Sequence, residues 1–135
     1  MAAELRFLYV GSADTERDIG AWLQLPGARL RWRFQHFGAD VAAIDLGSPP
    51  LVLIADHRPS GTILPIYAVD DLDAVSNVTG WDLELGPMET PEGPACVVRD
   101  GSGSEIAFLR LDRPGVMDAA FVDEGNTHAV RGDSE

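Results

Sequence analysis

Two stretches of the chain, Leu8–Leu23 (LYVGSADTERDIGAWL) and Ile66–Trp81 (IYAVDDLDAVSNVTGW), share one arrangement. In each, an aromatic residue within an apolar run, Tyr9 or Tyr67, is followed within two residues by a valine, Val10 or Val69, and then by an acidic helix start, Asp14 and Glu16 or Asp70 and Asp71. Apolar residues alternating with period two read as a strand. Carboxylates ahead of an apolar stripe at i, i+3, i+4 suit the positive end of a helix. Two strand-to-helix junctions of this kind predict an internal repeat.

Working outward, Glu4–Val10 is the first strand, with Leu5, Phe7 and Tyr9 on one face and Arg6 and Leu8 on the other. The following helix takes Ser12 as its cap, carries Ile19, Trp22 and Leu23 as its stripe, and stops at Pro26-Gly27. ARLRWRFQHF (28–37) alternates again, with Leu30, Trp32, Phe34 and His36 opposite Arg31, Arg33 and Gln35. Turns at Gly38–Asp40 and Gly47–Pro50 lead into VAAIDL and LVLIADH, giving the order β-α-β-β-β. The order then restarts: TILPIYAV as a strand, DDLDAVSNVTG as a short helix, WDLELGP as a short strand, then PACVVRD and EIAFLRL joined by a Gly/Ser turn. The expectation is an α+β fold of two βαβββ modules, about 4–57 and 62–111, in one domain spanning 1–111. A partly disordered acidic tail, 112–135, follows and docks through Val116, Met117, Phe121 and Val122.

Composition narrows the function classes. At 135 residues, 45% of them hydrophobic, the chain can bury one core. All ten basic residues are arginine and the formal charge is −12; six acids and two arginines from Asp112 onward account for −4 of it, leaving −8 on 1–111. A surface this negative repels phosphate backbones and anionic membranes and attracts cationic small molecules. No apolar run reaches the ~20 residues of a membrane span, and Glu4 stands where a signal peptide carries basic residues, so a cytoplasmic location is expected. The single cysteine, Cys96, excludes an intrachain disulfide and reads as a buried hydrophobe of the ACVVRD strand. The chain has no Gly-x-Ser-x-Gly elbow and no His-x-x-x-His pair, and DGSGSE opens a strand rather than the helix a phosphate loop requires. Asp70 and Asp71 sit at a helix start, where capping accounts for them.

The paired modules, AVDDLDAV (68–75) and GPMETPEGPACVVRDGSGSEIAFL (86–109) together resemble the vicinal oxygen chelate superfamily of glyoxalases, extradiol dioxygenases and bleomycin-resistance proteins. The resemblance covers 4–111. The family's closing hairpin carries Asp-Pro-x-Gly-Asn; here Gly101 replaces the proline and Ser104 the asparagine, while Asp100 and Gly103 remain to bond the turn amides and to take a positive φ. The resemblance implies a cup-shaped mixed sheet with helices on its outer face and a divalent metal held at its base by His and Glu. Carried over residue by residue, those ligand positions fall on Leu5, Leu53, Leu64 and Ala107. None offers the N or O donor such a cation needs.

A cup without metal is a concave apolar site of the kind that holds small molecules. Its expected lining is Leu5, Phe7, Tyr9, Leu53, Ala55, Leu64, Ile66, Ala107 and Leu109, with His57 and Glu105 as polar rim. Either face of 30–37 can turn inward: Trp32, Phe34 and His36 would make an aromatic slot, whereas Arg31, Arg33 and Gln35 would suit an anion. Arginine and glutamine fit a solvated face more easily, which favours the aromatic choice. Trp22 and Trp81 are expected to pack the helical layer.

Three readings follow. The first is a metal-free homodimeric binder, without cofactor, that sequesters a cationic aromatic drug or metabolite. The second is a divergent lyase or dioxygenase holding a metal through His36, His57 and Glu105. The third is a degenerate dimeric member without a ligand.

Overall fold

The computed structural model describes residues 2–36, 38–116 and 129–130, with the backbone alone described at His36, Ala129 and Val130. The first module comprises β1 (Glu4–Gly11), α1 (Thr15–Trp22), β2 (Arg29–His36), β3 (Ala39–Asp45) and β4 (Leu51–Ala55). The second comprises β5 (Ile63–Ala68), α2 (Leu72–Ser76), β6 (Asp82–Thr90), β7 (Gly93–Arg99) and β8 (Glu105–Leu109). A two-residue β9 (Ala129–Val130) follows. The fold is α+β, and the repeated βαβββ order is that of the sequence reading. No helix among the described residues is long and apolar enough to cross a membrane.

By packing, the chain divides into two compact units whose boundaries fall at Phe7 and Leu64; the first residues of β1 group with the unit that begins at Leu64. In the unit holding Phe7–Ile63 the strand order is β1-β4-β3-β2-β9. β1 and β4 run parallel and the other pairs antiparallel. In the other unit the order is β6-β7-β8-β5, with β5 and β8 parallel. The parallel pair of each module requires a crossover, and the helix lies within it.

Each helix covers one face of its own strands. Ile19 of α1 packs on Ala42, Ile44, Val52 and Ile54, joined by Val10, Trp22 and Leu30. Val52 and Ile54 are wholly buried, and each such side chain contributes roughly 1.5–3 kcal/mol. In the second unit Val69, Leu72 and Val75 pack on Cys96, Val98 and Phe108. Tyr67 and Trp81 stack on Phe108, with ring centroids 5.8 and 5.6 Å away. Trp22 and Trp81 thus belong to the helical layers.

Several local expectations are corrected. The cap of α1 is Asp14, whose Oδ1 accepts from Arg17 N at 3.1 Å. The Ser12 hydroxyl is engaged elsewhere, donating to the Asp18 carboxylate and accepting from Asp14 N. The helix ends at Trp22, and the chain tightens into i+3 bonds, Gln24 N to Ala21 O and Leu25 N to Trp22 O, before Pro26. β6 is nine residues long rather than a short segment, because its pairing with β7 continues through Met88↔Ala95 to Thr90↔Gly93. In the DGSGS turn, Asp100 Oδ1 accepts from Ser102 N and Ser104 N, both at 2.9 Å, and Gly103 has φ +86°. The start of the expected tail is held in place rather than disordered: Asp112 N and Arg113 N both donate to Glu92 O at 3.0 Å, Arg113 bonds Glu89 at 2.6 Å, and Val116 N donates to Arg113 O at 3.4 Å. The expected docking through Met117, Phe121 and Val122 lies outside the described residues. The described β9 pairs with the outer edge of β2, Arg33↔Val130 and Phe34↔Ala129.

Candidate functional site

The site is built on the strand face turned away from α1. Residues directly paired across a sheet project to the same side, so the register assembles rows. Tyr9 pairs with Leu53, Leu53 with Ala43, and Ala43 with Trp32; the next row is Gly11, Ala55, Val41 and Phe34. Trp32, Ala43 and Ala55 are buried, while Phe7, Tyr9, Phe34 and Leu53 are half-buried. The face is therefore an aromatic and aliphatic surface with a closed floor and partly open aromatic edges.

A β-bulge decides what shares this face. The β2–β3 register slips between Leu30 and Trp32, so Leu30, expected beside Trp32, lies instead on the α1 side. The same side takes Arg33, which bonds Asp40 at 2.9 and 2.6 Å and Glu16 of α1 at 2.6 Å. Gln35 follows it, 3.4 Å from Asp40 Oδ2. The Arg33 side chain is only 12% exposed, and its hydrogen bonds hold the Asp40 carboxyl below the usual carboxylate range against the opposing effect of burial. The arginines of this strand thus belong to the helix side or to Asp45, which Arg31 approaches at 3.6 Å. His36 pairs with Ala39, and its side chain lies outside the described residues.

His57 is not in a strand, because β4 ends at Ala55 where Asp56 turns to Asp40: Asp56 N donates to Asp40 O, and Asp56 Oδ1 accepts from Asp40 N at 2.9 Å. From this turn the exposed His57 reaches back to β1. Its Nε2 lies 2.8 Å from the Tyr9 hydroxyl, and the rings meet edge to face at 5.4 Å. Burial pushes the Tyr9 phenol up to about 12; Arg58 lowers it and Asp56 adds to the rise. Tyr9 is a neutral phenol at physiological pH.

Gly11 sets the position of this turn, a contact the sequence reading missed. A Cβ at Gly11 would stand 1.9 Å from Pro59 O and 3.0 Å from Arg58 O. The turn backbone therefore lies flush on the end of β1, held by Gly11 N to Thr62 O at 2.9 Å and by Thr62 Oγ1 to Pro59 O at 2.6 Å. The available signal was a glycine closing an otherwise apolar strand run.

In the second unit the face away from α2 carries Ile66 paired with Ala107, Ala107 with Val97, and Leu109 with Ala68 and Ala95. Leu64 shares the parity of Ile66 and is 6% exposed; Ala107 is 5% exposed. Glu105 pairs with Arg99 across β7–β8, with charged atoms 3.9 Å apart. The four positions at which the resemblance places metal ligands are thus Leu5 in β1, Leu53 in β4, and the buried Leu64 and Ala107. Hydrocarbon side chains cannot coordinate a cation, so the donor set does not fit the metal that the resemblance implies. Among the described residues no group of three His, Cys, Asp or Glu converges as a metal site would. Burial raises the Cys96 thiol, in keeping with its place in the second core.

No protein-family model matches the chain, and no curated protein matches it in sequence. Solved structures do match in shape. Methylmalonyl-CoA epimerase from Mycobacterium tuberculosis superposes with a TM-score of 0.64 at 16% identity, covering 82% of this chain and 89% of that one. Hypothetical protein BH1468 from Bacillus halodurans C-125 gives 0.65 at 9% identity, covering 84% and 97%. A second methylmalonyl-CoA epimerase gives 0.57 at 14% identity, covering 81% and 95%. At these identities the likeness is one of fold.

Proposed function

Starting from a chain with the vicinal oxygen chelate fold, we propose that it is a metal-free small-molecule binder of the glyoxalase/bleomycin-resistance type, sequestering a drug or metabolite stoichiometrically. The observation that carries this reading is the set Leu5, Leu53, Leu64 and Ala107. Where an enzyme of this fold presents nitrogen and oxygen to a cation, this chain presents methyl and isobutyl groups. Such a surface gains free energy by covering apolar area of a ligand.

The proposed contact residues are Phe7, Tyr9, Trp32, Phe34 and Leu53 on the face of the unit that holds Phe7–Ile63, where His57 is the polar neighbour of Tyr9. On its own face, the unit that begins at Leu64 offers Leu64, Ile66, Glu105 and Ala107. The ligand class is a planar aromatic cation: aromatic side chains attract cations over their faces, and the net charge of −12 favours approach of positive species. The binder is a homodimer, the commonest closed assembly of soluble chains, and it acts in the cytoplasm.

Titration of tryptophan fluorescence with planar cationic natural products and acridinium dyes tests the reading. Saturable one-to-one quenching, lost in Trp32→Phe, is expected. Silence across a broad panel at high micromolar concentration refutes it. Stoichiometric metal in the purified protein that disappears in His57→Ala would instead establish the metal-dependent enzyme.

A further inference from the structure

We propose that the Tyr9 hydroxyl, held by His57, is the specificity-determining anchor of the site: it accepts a hydrogen bond from an N–H or O–H donor on the rim of a planar ligand. The inference rests on the binding reading above and adds what that reading leaves open, namely which polar group the ligand carries and where it sits.

Three observations converge. Tyr9 lies in the row with Leu53, Ala43 and Trp32, so its ring shares the apolar face. Its hydroxyl is 2.8 Å from His57 Nε2. A phenol oxygen has one hydrogen and two lone pairs. If the hydroxyl donates to Nε2, both lone pairs remain; if it accepts from Nε2–H, one lone pair remains. In either tautomer the oxygen can accept a further hydrogen bond, and donation to the imidazole strengthens it as an acceptor.

The anchor is also preorganised. The edge-to-face contact at 5.4 Å holds the two rings against each other. The turn that carries His57 is seated on the end of β1: Gly11 N donates to Thr62 O at 2.9 Å, Thr62 Oγ1 donates to Pro59 O at 2.6 Å, and Pro59 O lies within 1.9 Å of where a Cβ at position 11 would stand. A polar group positioned by a rigid element discriminates between ligands better than one that must be ordered on binding. The charges acting on Tyr9 are Arg58 and Asp56, of opposite sign, so the discrimination expected here concerns the donor rather than the ligand's net charge.

Two probes isolate the donor at constant charge: 9-aminoacridinium, which carries N–H groups, and 10-methylacridinium, which carries none. Isothermal titration of the full chain is expected to show roughly tenfold tighter binding of 9-aminoacridinium, the equivalent of one net hydrogen bond. Tyr9→Phe, with its melting curve and near-ultraviolet dichroism checked against the parent, should bind the two probes equally. His57→Ala, at an exposed turn position, should narrow the preference without unfolding the protein. Equal affinity of the parent for both probes, or a preference that survives in Tyr9→Phe, overturns the anchor and leaves the binder standing. Failure of the parent to bind either probe also overturns the anchor, and the binder itself falls on silence across the broad panel.

Discussion

Replacing Gly11 by alanine places a methyl group 1.9 Å from Pro59 O, and relieving the contact to even 3.0 Å needs a shift of about 1.1 Å. The obstacle is backbone, so no side-chain rotation relieves it. Pro59 O also accepts from Thr62 N at 3.2 Å and Thr62 Oγ1 at 2.6 Å, while Thr62 O accepts from Gly11 N at 2.9 Å. Overpacking of this kind costs about 1–3 kcal/mol, and each weakened hydrogen bond about 1 kcal/mol. Against this, alanine restricts the unfolded chain and returns about 0.4–1 kcal/mol. The net expectation is a destabilisation of about 2–3 kcal/mol. Gly20 is the matched control: it is exposed within α1, and nothing lies within 4 Å of its Cβ position. Gly20→Ala should stabilise by up to ~1 kcal/mol through helix propensity. Urea unfolding followed by tryptophan fluorescence and far-ultraviolet dichroism reads both variants. A Gly11→Ala protein within about 0.5 kcal/mol of the parent would refute the reasoning that the turn is seated on β1. Since the same turn carries His57, Gly11→Ala should also weaken the acridinium preference of the parent.

Other perturbations address separate parts of the molecule. Ile54→Ala empties a wholly buried position between β4 and α1 and should cost about 2–5 kcal/mol in the same assay. Asp100→Ala removes the acceptor of two turn amides and should cost about 1–2 kcal/mol, with the greatest gain in amide exchange at Ser102 and Ser104. Asp40, depressed chiefly by its bonds to Arg33, contributes stability above the unfolded carboxyl value of about 3.9, and that stability is lost as pH falls through its lower folded value. The stability difference between the parent and Asp40→Asn should accordingly be full above about pH 5 and shrink below about pH 4; a difference that stays constant to pH 2.5 would contradict the ion pair. Native Cys96 should resist a thiol-reactive disulfide reagent and react only at the rate of unfolding, because burial both shields the thiol and disfavours the thiolate.

Much of the fold was legible because it is written in local patterns. Period-two runs, acidic helix starts and the Gly/Ser turn located both modules, and the Asp100 turn closes as its residue types require. The candidate site was legible at those positions where strand alternation is uninterrupted: Phe7 and Tyr9 share parity, and Leu53 lies directly opposite Tyr9. It failed at Leu30, since a bulge adds one residue to one strand and reverses every side chain before it. Strict alternation cannot reveal that. It failed as well at Ser12, where a nearby carboxylate took the hydroxyl that a local rule gave to the helix end.

The sequence by itself determined the βαβββ repeat, the acidic surface and the absence of donor atoms at Leu5, Leu53, Leu64 and Ala107, because residue type and spacing along one chain are enough to fix each of these. Only the tertiary structure decided that Trp32 joins Tyr9 while Arg33 turns to α1, and that His57 meets a tyrosine 48 positions before it. Those outcomes depend on register between strands and on how closely one backbone approaches another at Gly11. They arise from packing segments distant in sequence, which no local pattern encodes.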